Sequence, residues 1–161
     1  MRIEERRARL VTRFGRLDLE KHGRLDHADA ASAARRLSEG VGRTAGCREE
    51  RLLEAALRQV WDAVCDGRFE PVDSARFAWS VDRYGRAVAV AVQAAADATF
   101  DLADLDGHGR LNLREYAALC FACGVPDFEI IDGFERMAPD GLLARDRFRE
   151  ATLRYWLGYD S

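Results

Sequence analysis

The sequence predicts an all-α protein, four helix–loop–helix units in two pairs folded as one compact domain, with short β-bridges between paired loops. Three observations predict it. Gly23, Gly67, Gly109 and Gly141 recur at spacings of 44, 42 and 32 residues, and each has an apolar residue two places later: Leu25, Phe69, Leu111 and Leu143. Apolar residues at helical spacing flank every copy. The composition, 161 residues with 48% apolar, 33% charged and only three prolines, suits one helical globule with a real core.

The elements follow in order. Leu10, Phe14 and Leu17 mark a first helix, and "SEGVGRTAG", Ser38 to Gly46, is a glycine-rich break before a helix carrying Leu53, Leu57, Val60, Trp61 and Val64. "DRYGR" divides the halves, giving a first pair over residues 1–83 and a second over 86–161. Ala96 and Phe100 precede the third loop. In "CGVPD", Gly124 stops a helix and Pro126 restarts one, which carries Ile130, Phe134 and Met137 into the fourth loop.

Charge narrows the function classes. The net charge is −3 with both signs interspersed, which favours neither nucleic acid nor an anionic membrane as partner. "MRIEERRARLVTRF" lacks the apolar run of a secretory signal, and "AVAVAVQAAADATF" is too short to span a bilayer, so a cytoplasmic location is expected. Only Lys21 among the 25 basic residues is lysine, a skew that fits a GC-rich bacterial genome. Cys47, Cys65, Cys120 and Cys123 are expected to be reduced; Cys120 and Cys123 form a CxxC inside a helical pattern with no second pair to complete a zinc site.

The loops carry the chemistry. A twelve-residue calcium loop takes oxygen ligands from its first, third, fifth, ninth and twelfth residues and a carbonyl from the seventh, with glycine sixth. In "DLDGHGRLNLRE" these are Asp104, Asp106, His108, Asn112 and Glu115, the Arg110 carbonyl and Gly109. Leu111, the eighth residue, is expected to meet Leu143 in a β-bridge. "DLEKHGRLDHAD" repeats the pattern with Asp18, Glu20, His22, the Arg24 carbonyl, Asp26 and Asp29. Asp29 is one methylene shorter than glutamate, which makes bidentate closure on Ca²⁺ harder and Mg²⁺ competitive.

The other two loops are degenerate. "DAVCDGRFEPVD" offers Asp62, Asp66, Glu70 and Asp73 but has Val64 in third place, and a helix that buries Trp61 and Val64 leaves it about three residues short of the length required. "RMAPDGLLARDR" has Arg136 and Arg147 at its ends and is expected to be a shortened structural partner of the third loop. Both intact loops carry histidine fifth, where a hard cation prefers oxygen. Each imidazole is expected either to turn outward in favour of water or to make the site pH-sensitive.

These features resemble the EF-hand proteins of the sarcoplasmic calcium-binding type, and most closely the actinobacterial calerythrin-like members. The resemblance rests on "RFGRLDLEKHGRLDHAD", "FDLADLDGHGRLNLREYAA", the degenerate second unit and the C-terminal "RYWLG". It implies a compact domain that binds Ca²⁺ as an intracellular buffer or signal modulator, with ligand roles for Asp18, Glu20, Asp26 and Asp29 and for Asp104, Asp106, Asn112 and Glu115. The fourth unit, commonly a binding loop in this group, has lost its acids here.

Three function classes remain. A sensor that opens a methionine-rich groove is disfavoured by the presence of only Met1 and Met137, so a monomeric buffer or a modulator with an unidentified protein partner is expected. A second class is a scaffold holding an organic ligand, as photoproteins and luciferin-binding relatives do, with Trp61, Phe77, Trp79, Tyr116, Phe148, Tyr155 and Trp156 either filling the interior or lining a cavity. The third is a repurposed enzyme. It has little support: no nucleophile motif is present, and His27 stands at a helix start with no evident partner.

Overall fold

A computed structural model describes residues 2–18, 21–65 and 71–159. Among the described residues there are eight α-helices: α1 Ile3–Leu17, α2 His27–Gly40, α3 Arg48–Cys65, α4 Ser74–Arg83, α5 Gly85–Ala103, α6 Leu113–Ala122, α7 Asp127–Met137 and α8 Arg145–Trp156. Two short strands, β1 Arg110–Leu111 and β2 Leu143–Ala144, complete the all-α fold.

The bridges pair the loops. Leu111 faces Leu143 in an antiparallel ladder, and both side chains are fully buried. In the first half Leu25 pairs with Val72, each N–H donating to the other's carbonyl at 2.8 Å. Val72 therefore holds the bridge position that the repeat assigned to Phe69, which lies outside the described residues. The cause is helical phase: Trp61 and Val64 are buried, and α3 continues through Asp62 to Cys65 before the loop begins. With Val72 in the eighth place the frame moves by three residues. Asp73 becomes the N-cap of α4, accepting from the Arg76 N–H at 2.8 Å, and Arg76 falls at the twelfth place.

Two core clusters meet along α3 and α5. Val88 and Val92 of α5 join Leu10, Phe14, Val60 and Trp61, whereas Phe100 and Leu102 join Leu53, Leu111, Leu143 and Phe148. Phe14 packs on Phe77 at 5.8 Å and Phe100 meets Phe148 edge to face at 5.7 Å. Trp79 departs from the expected interior set: it is 44% exposed, under the Arg76 guanidinium.

Close approach of α2 to α6 fixes one glycine. A Cβ on Gly40 would lie 2.4 Å from Ala122 Cβ. Gly to Ala in a helix ordinarily stabilises, but here the overlap forces the helices apart. Gly40→Ala is expected to destabilise by about 1–3 kcal/mol in denaturant melts.

Glu50 of α3 is buried, accepting from Arg35 Nε at 2.9 Å and from the Gly46 N–H at 3.0 Å. Burial alone would raise its carboxyl pKa; the hydrogen bonds from Arg35, Gly46 and Ser38 outweigh it and hold the group below its ordinary value. A depressed folded-state pKa contributes stability above the unfolded value and loses it as pH falls through the folded one. Glu50→Gln should therefore cost roughly 1 kcal/mol at neutral pH, with the gap to wild type closing in melts below the carboxylate range.

Candidate metal centre

The third loop is organised by backbone N–H groups aimed at carboxylates. Asp104 caps the end of α5, its N–H bonded to Phe100 O at 2.9 Å. Its Oδ2 accepts the Gly109 N–H at 2.9 Å across the turn, where Gly107 and Gly109 take φ of 69° and 75°. Asn112 is the N-cap of α6 in a capping box: its Oδ1 accepts the Glu115 N–H at 2.9 Å, and Glu115 Oε2 accepts the Asn112 N–H at 3.0 Å. Glu115 Oε1 spans the loop to the Leu105 N–H at 3.1 Å.

Asp104, Asp106 and Glu115 are thereby gathered with one oxygen each inside a 4.8 Å cluster. Asp104 Oδ1 is buried and has no hydrogen-bond partner among the described residues. Three gathered carboxylates, one of them with a buried and unpaired oxygen, fit a hard divalent cation, which supplies the opposite charge and takes oxygen ligands. The His108 N–H, 3.0 Å from Asp106 Oδ1, is the leading cause that keeps the Asp106 carboxyl below its ordinary value.

The remaining predicted residues divide. The Arg110 side chain reaches Asp140 of the fourth loop at 3.4 Å. The His108 ring is 79% exposed, with Nδ1 3.0 Å from Asp106 Oδ2, and lies outside the three-carboxylate cluster.

The first loop repeats the frame. Asp18 caps α1 with φ −76° and ψ 74°, close to the −75° and 76° of Asp104, and its Oδ2 accepts the Gly23 N–H at 2.7 Å. Asp26 caps α2 in the same box, and Asp29 Oδ2 accepts the Asp26 N–H at 2.7 Å. Glu20 lies outside the described residues. The histidine behaves differently here: the His22 ring stands between the end carboxylates, Nδ1 3.4 Å from Asp18 Oδ1 and Nε2 3.4 Å from Asp29 Oδ1. The expected outward turn thus describes His108 and does not describe His22. The Arg24 N–H donates to His22 Nδ1 at 3.2 Å and braces that ring.

Lys21 occupies the left-handed region at φ 56°, where the third loop has Gly107. Lys21→Gly should relieve that conformation and raise stability by about 1 kcal/mol in thermal melts, an effect absent for a glycine placed at exposed Arg24.

The degenerate loops do not assemble a comparable cluster among the described residues. Asp62 lies within α3 and its Oδ1 is 2.5 Å from His27 Nε2, which supplies the partner that the sequence did not reveal. Asp66 and Glu70 lie outside the described residues. α7 runs on through Met137, so the fourth loop is short as expected; Arg136 pairs with Asp132 at 3.2 Å, and Arg147 stands in α8. The Cys120 thiol is buried, which pushes its pKa up to about 11 and makes it a poor nucleophile at neutral pH.

Sequence reasoning missed Arg43. Within the glycine-rich break it donates to Leu102 O at 2.9 Å, Asp101 O at 2.9 Å and Asp104 O at 3.2 Å, closing the carbonyl end of α5 where the third loop begins. Only its place just after Gly42, in a loop next to a helix end, hinted at such a task.

Four helix–loop–helix units joined by loop bridges, with two loops sharing one carboxylate frame, define the architecture. The chain has the fold of EF-hand proteins and is similar to calerythrin. It is 25% identical to calerythrin of Saccharopolyspora erythraea over 146 residues, which span 83% of this chain and 80% of that one. A calcium-binding protein of Streptomyces coelicolor superposes with a TM-score of 0.80 at 21% identity, covering 96% of this chain and 99% of the other. Calcium-loaded apo-aequorin of Aequorea victoria superposes at 0.77 with 18% identity, over 98% and 93%. These superpositions establish the fold. No protein-family model matches the chain.

Proposed function

We propose that this EF-hand protein binds Ca²⁺ through residues 104–115 and, more weakly, through residues 18–29, and acts inside the cell as a calcium buffer or signal modulator. The observation that carries the reading is the gathering of Asp104, Asp106 and Glu115 with one oxygen each within 4.8 Å, Asp104 Oδ1 being buried without a donor among the described residues. Calerythrin and the calcium-binding protein of Streptomyces coelicolor point the same way. Asp104, Asp106, Asn112, Glu115 and the Arg110 carbonyl would hold the ion, which supplies charge compensation for the loop.

The first loop is the weaker site for two reasons. Asp29 reaches less far than Glu115, and the His22 ring stands between Asp18 and Asp29. A small six-coordinate ion suits that shorter reach, so Mg²⁺ competes there. No membrane-spanning role enters: no helix among the described residues is long and apolar enough to cross a bilayer. A non-catalytic role is part of this reading, because the paired acids are accounted for by the ion.

Calorimetric titration with Ca²⁺, with and without Mg²⁺, tests the proposal. Glu115→Gln should weaken the tighter site by roughly 100-fold, ~2.7 kcal/mol, and leave the other in place. Asp29→Glu with His22→Asn should tighten the first loop. Absence of calcium heat from the wild-type protein would overturn the reading.

A further inference from the structure

The inner side of α7 is accounted for by packing. Ile130 and Phe134 are buried, and Phe134 meets the Tyr116 ring of α6 at 5.4 Å. Gly133 and Met137 line a cavity of about 1460 Å³ between the two core clusters, which reaches Trp61, Ala95 and Ala96.

The outer side is different. Helix period sets Asp127, Phe128, Ile131 and Glu135 within an arc of about 100°, and all four are exposed. Phe128 is 74% exposed at the rim of the cavity, and Ile131 is 52% exposed. A surface helix ordinarily turns polar residues to water, so two large apolar side chains one turn apart mark a contact face. Phe121, exposed in the last turn of α6, flanks the same connection, residues 123–126.

Charge says what that face meets. α7 holds Asp127, Glu129, Asp132 and Glu135 against Arg136 alone, so this one helix carries the −3 that the whole chain nets. Asp132 is neutralised by Arg136 at 3.2 Å, and Glu129 is engaged by contacts of its own. Asp127 and Glu135 form no ion pair among the described residues. They bracket Phe128 and Ile131, about 12 Å apart on the helical rise. A symmetric contact between two copies of α7 would bring like charges together, and an anionic lipid surface would be repelled. A cationic apolar partner gains on both counts.

We propose that the outer face of α7 docks an amphipathic helix of a partner protein. Its apolar side chains cover Phe128 and Ile131, and its lysines or arginines, about two turns apart, meet Asp127 and Glu135. The face lies outside the calcium loops and stands whether or not they bind an ion.

The probe is a fluorescein-labelled amphipathic peptide of leucine and lysine, with a leucine and glutamine peptide as the uncharged control. Each is titrated by anisotropy with the full chain, in EDTA and in calcium. Expected are saturable one-to-one binding of the lysine peptide, about tenfold weaker binding of the glutamine peptide, and a loss of about tenfold in Phe128→Ser with Ile131→Ser. Asp127→Asn with Glu135→Gln should remove the preference for lysine, whereas Val90→Ser, at an exposed valine on α5, should change nothing. Ile131→Ser alone serves should the double variant fail to fold. No saturable binding, or unchanged affinity in a folded serine variant, overturns the docking face. Equal binding of the two peptides, or a lysine preference that survives loss of both carboxylates, overturns the cationic partner. Self-association of the wild type in sedimentation that the serine variant abolishes would assign the face to a second copy instead. Failure of the calcium titration with peptide binding retained in EDTA would remove only the ion reading.

Discussion

The reciprocal backbone hydrogen bonds between paired loops are the constraint on which the rest of the molecule depends. Each loop must leave one helix, turn sharply and enter another, so its polar backbone would be exposed and mobile if it stood alone. Bridging Leu25 to Val72 and Leu111 to Leu143 fixes both ends of two loops at once. The bridge side chains are buried, so the same residue that pairs the loops also anchors them to the core. A loop that has lost its ligands therefore retains a structural task, as the fourth does.

Within that frame the carboxylates are positioned by backbone donors. Asp104 and Asp18 each accept the N–H five residues on, and the twelfth-place acid of each loop accepts the N–H of its own N-cap residue. The bonds of Glu115 and Asp29 place negative charge where a helix begins, and those of Asp104 and Asp18 hold a carboxylate where one ends. What distinguishes the loops is finer. Glu115 spans to the opposite backbone, whereas Asp29 has a shorter arm; Gly107 turns freely, whereas Lys21 is held at positive φ.

The central helices serve two purposes. α3 and α5 divide their apolar residues between both clusters, which joins the halves, yet the alanine-rich stretch of α5 contributes Ala95 and Ala96 to the cavity wall. Close packing and open space are thus written on one helix by side-chain size alone. Arg43 shows the complementary case, a side chain from a linker that closes the end of α5 with three carbonyl contacts.

Local pattern determined much of this protein. Helix period, turn glycines, spaced acids and the apolar eighth residue specify four helix–loop–helix units, because each rests on interactions within a few residues of chain. The Leu111 to Leu143 bridge was legible for the same reason, each being eighth in its own loop. Other properties needed the folded chain. The bridge partner of Leu25 depended on how far burial of Trp61 and Val64 carried α3, a matter of packing. The divergence of His22 from His108, alike in sequence context, came from what surrounds each ring: two end carboxylates in one loop, solvent and Asp106 in the other. His27 meeting Asp62, Arg43 reaching α5 and the cavity around Trp61 all join residues far apart in the chain, and no sequence period encodes such meetings. They are decided where helices pack.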